Sequence, residues 1–189
     1  MQELPEARVN VHPERSRGAL SRRGILLATL AAGCSTRNRD AVLADFRTFM
    51  NALPQQTAGR VPFEPWKLEG KVVLITFIAT WCFPCLTELV VINRLERDHS
   101  AEGFANVLVG MDLDGKAVLE PFAEGYKLTV PLLIGDDRIR SGETVFGRIR
   151  ELPSRILFGR SGELVVGFSG VSQYEDLERL VASEVSKKP

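Results

Sequence analysis

Residues 72–85 read Val72-Val73-Leu74-Ile75-Thr76-Phe77-Ile78-Ala79-Thr80-Trp81-Cys82-Phe83-Pro84-Cys85. The first eight are almost all apolar and rich in β-branched side chains, as expected of a central strand covered on both faces. Leu86, Leu89, Val90, Ile92 and Leu95 then recur at helical spacing. Two cysteines, two residues apart, therefore stand where a buried strand hands over to a helix. A thiol in that position meets unpaired backbone N–H groups and the positive end of the helix dipole, and both favour thiolate. CxxC thiols in such settings have pKa values from roughly 3.5 to 7.5, against ~8.5 for a free cysteine. The thiolate is the attacking species, so Cys82 is the expected nucleophile and Cys85, one turn deeper, the expected resolving thiol. Pro84 has no N–H to leave unsatisfied and presets φ for the first turn.

Other uses of the pair fit less well. A disulfide closing so short a loop constrains little of the unfolded chain and contributes little stability. A zinc site needs two more ligands, and Cys34, His12 and His99 are the only other cysteine and histidines. Haem attachment needs a histidine directly after the second cysteine, where Leu86 stands. Dithiol redox chemistry, with neither metal nor cofactor, is the expected reading.

Outward from this centre the pattern is α/β. Ala105 to Met111 reads as a second buried strand ending at Asp112 and Asp114, and Ala117 to Tyr126 as a helix. Ile156–Phe158 and Leu164–Phe168 flank Gly159-Arg160-Ser161-Gly162, a hairpin signal, and Gln173 to Val185 is a closing amphipathic helix. This order predicts one mixed sheet with helices on both faces. Upstream, Asp40 can cap a helix through Val42, Leu43, Phe46, Phe49, Met50 and Leu53, after which Pro54, Gly59, Pro62 and Pro65 break the chain. Among all 189 residues, 24 basic side chains balance 24 acidic ones, so no electrostatic footprint for nucleic acid is present. No apolar run reaches the ~20 residues needed to span a bilayer.

The N-terminus reads as an export signal. Arg15, Arg17, Arg22 and Arg23 form a basic region ahead of the uncharged apolar segment Gly24 to Gly33. Ser21-Arg22-Arg23-Gly24-Ile25-Leu26 resembles a twin-arginine motif, although paired arginines also occur in ordinary signals. Leu30-Ala31-Ala32-Gly33-Cys34 resembles a bacterial lipobox, in which the cysteine is lipidated. Ala31 and Gly33 would equally suit a peptidase that leaves no lipid. The expected organisation is a signal peptide over 1–33, a tether and helix over 34–60, and the redox domain over 61–189.

The stretch from Leu68 to Cys85 resembles the TlpA/ResA-like thioredoxin family, and the resemblance continues through Val107 to Asp114, the region around Pro131, and Leu152-Pro153. It implies a thioredoxin-like fold, a central mixed sheet flanked by helices, with an N-terminal extension and a central insertion. It further implies an extracytoplasmic thiol-disulfide oxidoreductase of a kind often tethered to the membrane, and the lipobox-like segment makes lipidated Cys34 the expected anchor. Pro153 matches the family's cis-proline, which packs beside the CxxC. Leu152 departs from the polar or β-branched residue common before it. Trp81, Phe83, Pro84, Leu152 and Pro153 are the implied substrate-docking residues. Glu88 matches a glutamate found three residues after the second cysteine in many members. Cys82, Cys85 and Glu88 step by three along one helix, so they lie near one face. A buried carboxylate there would raise the pKa of Cys85 and could accept its proton, whereas a solvated one would do neither. Thr76 stands where cytoplasmic thioredoxins carry a buried acid.

Phe83-Pro84 brings no positive charge between the cysteines, which favours a reducing protein over an oxidising one. The resemblance implies the same direction: relatives reduce disulfides of exported proteins, apocytochromes c among them, and draw electrons from a membrane thiol transporter. A monomer is expected. The alternatives are a thioredoxin-fold peroxidase, whose lone cysteine is preceded by Pro and Thr unlike Ala79-Thr80-Trp81, and a copper-chaperone-like binding module, which needs wider cysteine spacing and a distal histidine.

Overall fold

The structure, a computed structural model, describes residues 46–187. The export signal, Cys34 and the Asp40 cap lie outside the described residues. Chain order runs α1 (46–52), β1 (Thr57–Ala58), a 3-10 turn (Pro65–Leu68), β2 (Val72–Ile78), α2 (Phe83–His99), a second 3-10 turn (Ser100–Glu102) and β3 (Phe104–Gly110). Then follow α3 (Lys116–Gly125), β4 (Leu132–Ile134), α4 (Asp137–Ser141), β5 (Ser154–Phe158), β6 (Leu164–Ser169) and α5 (Tyr174–Val185).

The six strands form one mixed sheet in the order β1-β4-β3-β2-β5-β6. β2 runs parallel to β3, and β3 to β4, while β5 and β6 form an antiparallel hairpin against β2. Every residue of β2 and β3 is buried, which accounts for their unbroken apolar runs. Alternation along β2 divides the core. Val73, Ile75 and Phe77 pack with Phe46, Met50 and Phe158 on one face. Val72 and Leu74 meet Leu95 of α2 and Leu177 and Val181 of α5 on the other, where Ile78 also meets Leu89 and Ile92. Each such apolar side chain contributes about 1.5–3 kcal/mol on full burial.

Among the described residues the elements expected from the sequence are present, most ends lying within one or two residues, while the start of the Asp40 helix lies outside them. β1, β4 and α4 were not expected; they are too short to show a period. α1 and β1 form the N-terminal extension, and α3, β4 and α4 are inserted between β3 and β5. Among the described residues, no helix is long and apolar enough to cross a membrane.

Candidate active site

Cys82 is the N-cap of α2, with extended backbone, and the Cys85 N–H donates to its Sγ at 3.2 Å. The sulfur therefore shares a donor of the helix's first turn with the Cys82 carbonyl, which takes the same N–H at 2.9 Å, and in the reduced protein this contact favours a negative charge on it. Pro84 occupies the first turn, where a missing N–H costs nothing. Cys82 and Cys85 are joined as a disulfide. Cys82 keeps 5% of its surface exposed and Cys85 none, so the outer sulfur is the one an external thiol or disulfide can approach.

In front of Cys82 lies an open cavity of about 470 Å³. Trp81, Phe83 and Pro84 line it from the start of α2; Met111 comes from the end of β3, and Ile149, Arg150 and Leu152 from the loop before β5. Trp81 and Phe83 are 72% and 74% exposed, an apolar collar about the sulfur. The Leu152–Pro153 bond is cis. Pro153 itself is buried and Leu152 supplies the lining at that point.

The turn that carries Trp81 and Cys82 is held from behind. Asp112, buried just past β3, accepts the Thr80 N–H on both carboxylate oxygens at 3.1 Å and the Thr80 hydroxyl at 2.5 Å. Arg140 donates to the Asp112 carbonyl at 3.2 Å and to the Gly135 carbonyl, tying α4 and the end of β4 to the same corner. Gly135 has to be glycine there, because a Cβ would stand 2.5 Å from the Gly110 carbonyl oxygen.

Glu88 is buried at 1% exposure, which puts the sequence's solvated alternative aside. Its Oε2 is in an ion pair with Nη2 of Arg155, and its Oε1 accepts the Ser172 N–H at 2.5 Å. Arg155 is equally buried and donates from Nη1 to the Gly170 carbonyl at 2.7 Å. Burial pushes the Arg155 guanidinium down to about 10, which leaves it charged at neutral pH. In the antiparallel pairing of β2 and β5, Arg155 stands opposite Thr76, so both side chains face α2. A small residue at 76 leaves room for the arginine to reach Glu88.

The structure thus gathers Trp81, Cys82, Phe83, Pro84 and Leu152 around one cavity, with Cys85 buried behind them and Glu88 one turn further along α2. Cys34 lies outside the described residues. Sequence reasoning passed over Arg155, Asp112 as the anchor of Thr80, and Arg150. A charged residue just before the apolar run Ile156–Phe158 was the one available signal for Arg155.

The profile of the AhpC/TSA family matches residues 50–163. Thiol-disulfide oxidoreductase ResA of Geobacillus kaustophilus (strain HTA426) is 31% identical over 116 residues, which cover 61% of this chain and 64% of that protein. Thioredoxin-like protein YneN of Bacillus subtilis (strain 168) is 35% identical over 79 residues, 41% of this chain and 46% of that one. The chain thus spans less than two thirds of the length of these relatives. Among solved structures, a thiol-disulfide isomerase from Corynebacterium glutamicum superposes with a TM-score of 0.60 at 17% identity, covering 71% of this chain and 94% of that one. A thiol:disulfide interchange protein of the thioredoxin family from Chlorobium tepidum TLS gives 0.56 at 22% identity, covering 66% and 87%. These structures share the thioredoxin fold with the domain described here.

Proposed function

The chain belongs to the AhpC/TSA family, and from that premise we propose that it is an extracytoplasmic thiol-disulfide oxidoreductase that reduces disulfides in exported proteins. The observation that carries this reading is the pair of sulfurs at the start of α2, the outer one facing an open apolar cavity and the inner one sealed. In the reduced protein, the Cys82 thiolate attacks one sulfur of a substrate disulfide. That S–S bond breaks, a bond between Cys82 and the substrate forms, and the other substrate sulfur leaves as a thiolate that takes a proton from solvent. Cys85 then loses its proton and attacks Cys82, closing the intramolecular disulfide and releasing the second substrate thiol. Two electrons pass to the substrate, and a membrane-borne dithiol restores the reduced protein by the reverse exchanges.

Glu88 acts on Cys85 by charge, since a buried anion nearby disfavours a second one. Its oxygens face Arg155 and the Ser172 N–H, and from there it bears on Cys85 electrostatically and can take the proton of that thiol as it attacks. Trp81, Phe83, Pro84, Leu152 and Pro153 form the docking surface, and an apocytochrome c is a fitting substrate. Lipidated Cys34 would anchor a monomer to the membrane.

Insulin reduction by the domain, coupled to a dithiol donor, is the direct test. Cys85→Ser should accumulate mixed disulfides through Cys82, whereas Cys82→Ser should not; equal trapping by both would overturn the assignment of roles. Peroxide consumption and copper binding are the controls that would instead favour a peroxidase or a metal-binding module.

A further inference from the structure

Nearly every arginine among the described residues has its charge met. Arg155 pairs with Glu88, Arg138 with Asp136 and Arg140 with Asp137, Arg160 is bound by carbonyls, and Arg47, Arg60, Arg94, Arg97 and Arg179 each meet a carboxylate. Only Arg148 and Arg150 have neither an ion pair nor a hydrogen bond from the side chain. Both are exposed, and both lie in the loop that leads into the cis Leu152–Pro153 bond. Ile149 between them packs inward on the core, an arrangement that anchors the segment on which both arginines are carried.

Arg150 lines the cavity in front of Cys82, and no carboxylate lines it. Ile149 and Arg150 also line a second hollow of about 350 Å³, to which Arg148 contributes and which Glu151 borders. The two hollows meet at these residues, giving a track of two adjoining parts, of which only the first faces the reactive sulfur. Such a track suits an extended chain better than a compact small molecule. Uncompensated positive charge at an apolar docking surface selects for a negative partner more than it adds general affinity.

Resting on the oxidoreductase reading above, we propose that Arg150, assisted by Arg148, is the specificity element of this site, and that the preferred substrate is a polypeptide with an Asp or Glu next to the cysteine that Cys82 attacks. A guanidinium can hold such a carboxylate through two parallel N–H donors, which fixes the chain's direction along the track.

The test compares rates of reduction of disulfide-linked dimers of one short peptide, with Glu, Gln or Lys beside its cysteine, by the reduced full chain at low salt. The Glu peptide is expected to react about tenfold faster than the Gln peptide, with the Lys peptide slowest, and the preference should shrink as salt is added. Arg150→Ala should bring the Glu-to-Gln ratio near one, Arg150→Glu should invert it, and Arg150→Lys should keep part of it. Arg97→Ala, on the outer face of α2, should leave the ratio as it is. Equal rates for the Glu and Gln peptides, with the Gln peptide still reduced, overturn this inference and leave the oxidoreductase reading standing. Failure to reduce any peptide overturns both. A ratio that survives in Arg150→Ala overturns the assignment to Arg150. Faster reduction of oxidised glutathione than of the Glu peptide would show that a free carboxylate suffices, against the extended-chain reading.

Discussion

Glu88 of α2 and Arg155 of β5, both almost without exposure, form an ion pair beneath the redox centre, which ties the helix carrying the cysteines to the hairpin that follows the cis-proline. Breaking such a pair from one side leaves a buried charge uncompensated. Arg155→Met should therefore destabilise the oxidised protein by about 3–5 kcal/mol. The double variant Glu88→Gln/Arg155→Met should recover most of that loss, because neither charge then remains. Urea unfolding of the wild type, both single variants and the double variant measures both; additive losses would show that the residues do not act together.

The same pair bears on the inner thiol. Glu88→Gln removes an anion near Cys85 and leaves the Arg155 charge unmatched, and both changes favour the Cys85 thiolate. The Cys85 pKa should fall, as read by the pH dependence of thiolate absorbance in reduced Cys82→Ser protein. An unchanged titration would confine Glu88 to a structural role.

Asp112 is expected to matter through Thr80. Asp112→Ala removes the acceptor of both the Thr80 N–H and its hydroxyl, at a cost of about 1–3 kcal/mol in stability. Because Cys82 follows two residues later, insulin reduction should slow as well. Asp112→Asn, which keeps an acceptor, should lie between Ala and wild type in both measurements. Unaltered activity in Asp112→Ala would show that the turn holds its shape unaided.

Glu96 supplies a pH dependence remote from the cysteines. Its carboxylate accepts the Asn106 backbone N–H at 2.8 Å, and burial raises its pKa above the ordinary 4.5 against the opposing effect of those hydrogen bonds and of Lys71. A carboxyl whose pKa is raised by folding favours the native state most when protonated. This contribution is fully present below the ordinary carboxylate pKa and lost as pH rises through the raised value. Glu96→Gln retains an acceptor without the charge and should flatten that decline in unfolding midpoints measured between about pH 4 and 8. A decline of unchanged size would assign it to other groups.

The sheet's centre was legible because burial on both faces leaves a mark that composition alone displays, as in Val72 to Ile78. The cysteine pair was legible because spacing and position on a strand-helix junction coincide there. Leu132–Ile134 and Thr57–Ala58 were not, since two or three residues cannot show alternation, and their pairing is decided by β3 and by one another. Arg155 escaped notice for a different reason. Its partner Glu88 lies far away in sequence, and only the β2–β5 register, which sets Arg155 opposite Thr76, brings the two together. Glu88 could be aligned with a relative's glutamate, but whether it met water or a cation depended on that register.

On the oxidoreductase reading proposed for this chain, complete enclosure of Cys85 leaves a single doorway for electrons. Whatever delivers them and whatever receives them must each stand at Cys82, and two visitors cannot stand there at once. Turnover must then alternate, donor leaving before acceptor arrives, with substituted-enzyme kinetics and parallel lines in double-reciprocal plots. A donor kept in excess would compete with the acceptor for the same threshold, so the traffic through this protein is set by the relative abundance of its two clients as much as by its own chemistry.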